Sequence, residues 1–144
     1  HLLSSPNTSF VVVSTLEAAP AREARYFLEL LEDRKLHVGA LVLNKVLPEY
    51  LLDRPAATLA RRLVAESTEI SAGLAGVWGD LSYGPRVLEE IDASFTNYQL
   101  VAQREAELRG ELSGVAGTVA SVPYFSDDIA DLGGLLNLGE RLWR

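Results

Sequence analysis

The chain has 144 residues, 48% of them hydrophobic and 23% charged. That is enough apolar material to bury the core of one domain, and it excludes a disordered tail. A formal net charge of −7, with the acids scattered, excludes a duplex-binding surface, which needs a basic stripe to displace counterions.

With no cysteine, disulfides and thiolate metal sites are ruled out, and His1 and His37 are too few for a histidine-based zinc site. No metal site is expected. No apolar run approaches the roughly 20 residues that span a bilayer, and no basic-then-apolar leader opens the chain. A cytoplasmic location is the expectation. Methionine is absent, position 1 included, so the sequence is expected to be an excised piece of a longer protein.

Residues 1–8 read as a loop. Phe10-Val11-Val12-Val13-Ser14-Thr15 comes next as an unbroken β-branched and aromatic run, the pattern of a strand covered on both faces. Pro20 suits an early helical position, and Ala24, Phe27, Leu28 and Leu31 recur at helical spacing. Glu17 and Glu23 early and Arg34-Lys35 late complement the dipole of that helix. Val38–Leu43 is a second apolar run, ended by Asn44-Lys45. Strand, helix and strand in this order make a βαβ unit with parallel strands.

Pro48 and Pro55 bracket a connection. A helix is predicted from Ala56 to about Glu66, with Leu59, Leu63 and Val64 as its buried stripe. Residues 67–84, with Trp78 among small residues, read equally as helix or loop. From Pro85 to about Leu112 the helical pattern returns through Val87, Leu88, Ile91, Phe95, Tyr98, Val101 and Leu108, as one helix or as two broken near Ser94. Thr118–Val122 is a third strand, closed by Pro123. Asp127 or Asp128 is placed to cap a last helix through Ile129, Leu132, Leu135, Leu136, Leu138 and Leu142. The fold class is therefore α/β, a parallel sheet flanked by helices on both faces. Residues 1–144 read as a single α/β domain fragment in which residues 49–116 form a mainly helical connection.

Ligands of open parallel sheets bind beyond the carboxyl ends of the strands. Three groups fall there: Ser14-Thr15, Asn44-Lys45 and Pro123-Tyr124-Phe125. An Asn amide offers both a donor and an acceptor and can pair with a purine edge; an aromatic ring can stack on the base. Each group also has a plainer reading. Asn44 can simply end a strand, Tyr124-Phe125 can be core residues under a loop, and Ser14-Thr15 reads more readily as a helix cap.

No phosphate loop of the G-x-x-x-x-G-K-[ST] type occurs. The closest match, Gly134 to Arg141, carries Glu140 where the loop needs lysine and falls within a helical pattern. Glu89-Glu90 and Asp127-Asp128 are sequence neighbours, which do not face one another on a helix, so neither makes an acid/base pair. Arg61-Arg62 and Arg34-Lys35 read as solvated faces.

Taken together, Phe10–Val13, Glu17 with Glu23-Ala24-Arg25, Val42-Leu43-Asn44-Lys45-Val46, Val122-Pro123 and Leu135 to Leu142 resemble the arsenical-pump-driving and tail-anchored-protein-targeting ATPases, an anion-transporting ATPase family. The resemblance covers most of residues 8–48 and 117–143, and no single motif in it is specific. It implies the C-terminal part of a P-loop NTPase-like fold that works as a dimer. It places Asn44 at the adenine base, with Pro123 and Tyr124 lining the base's other side. It implies ATP with Mg²⁺ in the intact parent and none held tightly by this part. The phosphate loop, switch aspartates and metal-liganding carboxylates of the family have no counterpart in this sequence, nor does the cysteine pair some members use for zinc.

The function expected is thus the base-recognition part of an ATPase linked to anion transport or membrane-protein targeting, not catalytic alone. The expected partners are the missing N-terminal part, a second copy or a related ATPase subunit, and a membrane-protein client. Two alternatives stand beside it: a non-catalytic interaction or regulatory module from a degenerate ATPase half, and part of an unrelated Rossmann-like enzyme.

Overall fold

A computed structural model describes residues 3–74, 83–125 and 128–142. Its elements run β1 (Phe10–Thr15), α1 (Ala18–Asp33), β2 (Val38–Val46), a 3₁₀ turn (Glu49–Leu52), α2 (Arg54–Ala65), α3 (Ser67–Gly73), α4 (Gly84–Ser113), β3 (Val119–Pro123) and α5 (Leu132–Leu142). The chain divides into two compact units, one made of His1–Pro48 with Arg104–Arg144 and the other of Glu49–Gln103.

The first unit holds the sheet. Its three strands lie in the order β1-β2-β3, and both pairings are parallel. The three apolar runs are parallel neighbours, as their unbroken character predicts. Alternation sorts their side chains. Val12 pairs with Leu41 and Leu41 with Val119 on one face, while Val13, Val42 and Ala120 share the other.

The first face is the core. Leu41 and Leu43 are completely buried there with Val12, together with Ala21, Ala24, Leu28 and Leu31 of α1 and Leu112 of α4. Helix α1 closes on a Schellman turn. Lys35 adopts φ 56°, its N–H donates to the Glu32 carbonyl at 2.8 Å, and the N–H of Leu36 donates to that of Leu31 at 2.9 Å.

Helix α5 packs beside β3, and its Leu138 reaches the second face alongside Val13, Val42 and Val122. The sheet therefore carries helices on both faces. Strand β1 does not: Val11 and Val13 remain 59% and 62% exposed. A helix about 10 Å across covers roughly two strands spaced ~4.8 Å apart, and α5 is centred on the opposite edge. The apolar run of β1 is covered on one face only.

Several local expectations are corrected. The N-cap of α1 is Glu17, without a side-chain capping hydrogen bond, and the first turn holds no acid. Ser14 instead donates to the Thr15 carbonyl at 2.9 Å, so Ser14-Thr15 caps nothing. Asp128 is not the cap of α5. Asp131 is, accepting from the Gly134 N–H at 2.7 Å, which places the start of the helix one turn later; Asp127 lies outside the described residues. The Gly134–Arg141 match to a phosphate loop lies within α5, as its helical pattern requires.

In the second unit α2 is followed at once by α3, so residues 67–73 are helical; Trp78 lies outside the described residues. Helix α4 is one continuous element of 30 residues, with no break at Ser94. The expected buried stripes fail in part. Ala60, not Leu59, is the buried residue of α2, and Val87, Ile91, Tyr98 and Val101 of α4 are exposed while Leu88 is buried. Periodicity finds the helix but cannot say how much of its apolar face finds a partner. Among the described residues no helix is long and apolar enough to cross a membrane.

Candidate functional site

The carboxyl end of the sheet is shaped by an irregularity in β2. Leu43 pairs with Ser121, but the next pairing is Val46 with Pro123, so β2 spends one residue more than β3 between them. This is a β-bulge, and Lys45 carries it at φ 59°. A lysine in the left-handed region is unusual, since its Cβ crowds the following carbonyl. The Asn44 side chain supports the turn by accepting the Lys45 N–H at its Oδ1, 3.0 Å away. Beyond the bulge the N–H of Tyr124 donates to the Val46 carbonyl at 2.9 Å, which carries the β3 exit alongside the β2 exit.

The result is a groove of about 550 Å³ at the carboxyl end of the sheet, lined among others by Val42, Asn44, Lys45, Pro123, Tyr124 and Phe125. Asn44 does not follow the strand as its sequence position suggests: β2 runs on through Val46, and Asn44 pairs with Thr15 inside it. Asn44, Pro123 and Tyr124, the three residues singled out in the sequence, thus share one concave surface. Tyr124 is 58% exposed, which removes the reading of that residue as core. Phe125 is half-buried, and the Arg141 guanidinium lies 5.2 Å from its ring centroid, within cation–π range. Ser14 and Thr15 line a different groove, of about 790 Å³, with Arg22, Glu23, Tyr26 and Phe27 of α1. Asn44 and Val13 border both grooves.

The donor set of the smaller groove suits a flat heteroaromatic base. The accepting contact to Lys45 occupies one lone pair of Asn44 Oδ1 and leaves the other lone pair and the Nδ2 donors for a ligand. That is the paired donor and acceptor an adenine edge requires, beside an exposed tyrosine ring for stacking. Among the described residues no group of acidic or histidine side chains could hold a metal ion.

One residue at this end of the sheet has no signal in the sequence. Glu105 of α4 is half-buried and accepts the N–H of Leu47 at 3.0 Å. Loss of water around it raises its pKa above the ordinary carboxylate value; the Leu47 N–H lowers it and the negative charge of Glu17 raises it further. It stands 58 positions from its partner on a helix whose neighbouring positions are solvated. No spacing rule links the two.

No protein-family profile matches the chain. It is similar to "ATPase BagA" of Mycobacterium tuberculosis (strain H37Rv) and to "Putative ATPase Mb3704" of Mycobacterium bovis, each 30% identical over 98% of this chain. The chain spans 40% of the length of those relatives. On this similarity the chain is related to ATPases.

Proposed function

We propose that this chain supplies the base-recognition side of an ATP-binding ATPase of the arsenical-pump-driving and tail-anchored-protein-targeting type, as its C-terminal part. The observation that carries the reading is the groove at the carboxyl ends of β2 and β3, where Asn44 offers a donor and an acceptor beside Pro123 and Tyr124. The similarity to proteins named as ATPases supports it.

In this reading Asn44 pairs with the adenine edge, and Pro123 and Tyr124 hold the base from its other side. ATP with Mg²⁺ binds the longer protein, where the ion and the phosphate-binding groups stabilise charge on the transferred phosphoryl. The present residues bind and orient the base and hydrolyse nothing by themselves. The protein acts with its N-terminal part as a homodimer, or as a heterodimer with a related subunit, in anion transport or membrane-protein targeting.

The test is Asn44→Ala in the full-length protein carrying this sequence, with ATP and GTP affinities measured by calorimetry. Losing one or two hydrogen bonds at about 0.5–1.5 kcal/mol each weakens ATP a few-fold to about tenfold and narrows its preference over GTP. A folded variant with unaltered ATP affinity and selectivity rejects the assignment.

A further inference from the structure

The peptide unit joining Val46 to Leu47 is gripped on both sides. Its carbonyl accepts the N–H of Tyr124 at 2.9 Å, and its N–H donates to the Glu105 carboxylate at 3.0 Å. It lies one residue past Lys45, whose φ of 59° sets the bulge. A left-handed residue is a poor anchor for the residues after it, because its backbone conformation is itself held in place by its surroundings. The ladder is interrupted at this point, with no pairing between Leu43–Ser121 and Val46–Pro123. Past the bulge the Tyr124 backbone is held against β2 by the Val46–Pro123 pairing and by this peptide's carbonyl, while the peptide's N–H, on its other side, is held by Glu105.

We propose that Glu105 is a positioning residue for the base groove: it fixes the plane of the Val46–Leu47 peptide, and through it the distance between Asn44 on one wall and Tyr124 on the other. Glu105 is not among the residues that line the groove. It acts on the groove's geometry alone. A carboxylate is a strong acceptor for a backbone N–H, and it is kept in this half-buried place despite the cost that burial and Glu17 impose on its charge. A neutral acceptor of the same shape still accepts the Leu47 N–H, though less strongly, which separates the positioning role from a role for the charge.

This inference rests on the adenine reading of the groove, and its test is built to fail separately from that reading. In the full-length protein, Glu105→Ala and Glu105→Gln are compared with Asn44→Ala by amide hydrogen exchange and by ATP calorimetry. Glu105→Ala is expected to speed exchange at Leu47 and Tyr124 and to weaken ATP by about three- to tenfold. Glu105→Gln, which keeps an acceptor, is expected to restore both. A Glu105→Ala protein whose Tyr124 amide stays as protected as before overturns the inference. So does one with faster exchange but unchanged ATP affinity, provided Asn44→Ala does weaken ATP; the adenine reading then stands without it. If neither Asn44→Ala nor Glu105→Ala moves ATP affinity, both are overturned. Loss of ATP affinity in Glu105→Gln equal to that in Glu105→Ala also overturns it, because the charge and not the hold on the peptide would then matter.

Discussion

The Oδ1 atom of Asn44 accepts the backbone N–H of Lys45 at 3.0 Å, so one side chain both supports the bulge and presents its amide to the groove. These two roles separate in Asn44→Asp. An aspartate oxygen still accepts from Lys45, but the Nδ2 donor is gone and a negative charge faces the ligand. Thermal stability is expected to change by less than about 0.5 kcal/mol, while ATP affinity of the full-length protein falls by at least as much as in Asn44→Ala. A melt combined with calorimetry checks this; an Asp variant that binds ATP normally would remove Asn44 from base recognition.

Glu105 contributes a pH dependence of definite sign. Its folded pKa is raised, chiefly by burial, so the folded state holds the proton more tightly than the unfolded chain. Below the unfolded value of about 4.5 both states are protonated and the group adds no slope. As pH rises from there through the raised folded value, stability falls, and above it the loss is constant. Glu105→Gln removes that step. The variant is expected to be no less stable than the natural protein at pH 7, with the difference shrinking as pH falls towards 4.5 in urea titrations. A difference that grows on acidification would mean the carboxylate is stabilised by its surroundings.

Lys35 ends α1 in the left-handed region at φ 56°, a position glycine occupies without strain. Lys35→Gly is expected to stabilise the protein by about 0.5–1 kcal/mol after the added entropy of the unfolded chain is subtracted. Chemical denaturation of the two proteins side by side measures it. Destabilisation would show that the lysine side chain makes a contribution the Schellman turn does not account for.

Leu43 is completely buried in the sheet's core face and lies opposite Ser121 on β3. Leu43→Ala is expected to cost about 2–5 kcal/mol through lost transfer energy and the cavity left behind. A loss under about 1 kcal/mol in the denaturation midpoint would contradict the close packing of this face.

Its neighbour predicts the opposite sign. The Ser121 hydroxyl is buried without a hydrogen-bond partner among the described residues, and leaving such a group unpaired costs about 1–3 kcal/mol. Ser121→Ala is therefore expected to be neutral or to raise the melting temperature. A marked fall would show that the hydroxyl is satisfied in solution.

Much of this was legible in the residues alone. Apolar runs at Phe10–Thr15, Val38–Leu43 and Thr118–Val122, separated by helical periods, point to a parallel α/β sheet, because parallel strands need crossover helices between them; the β1 run shows that an unbroken apolar run need not be covered on both faces. The same logic puts Asn44, Pro123 and Tyr124 at the carboxyl end of the sheet, where the structure gathers them in one groove, although β2 runs on through Val46 and keeps Asn44 inside the strand. What the sequence could not carry are the quantities set by neighbours distant along the chain. The bare second face of β1 depends on where α5 lands. The choice of Asp131 as cap depends on which turn first closes. The bulge at Lys45 and the hold of Glu105 on Leu47 depend on a strand pairing and a helix 58 residues away. Local periodicity reports which face of an element is apolar. Only the tertiary structure decides what that face meets, because burial and hydrogen bonding are properties of the pair and not of either residue.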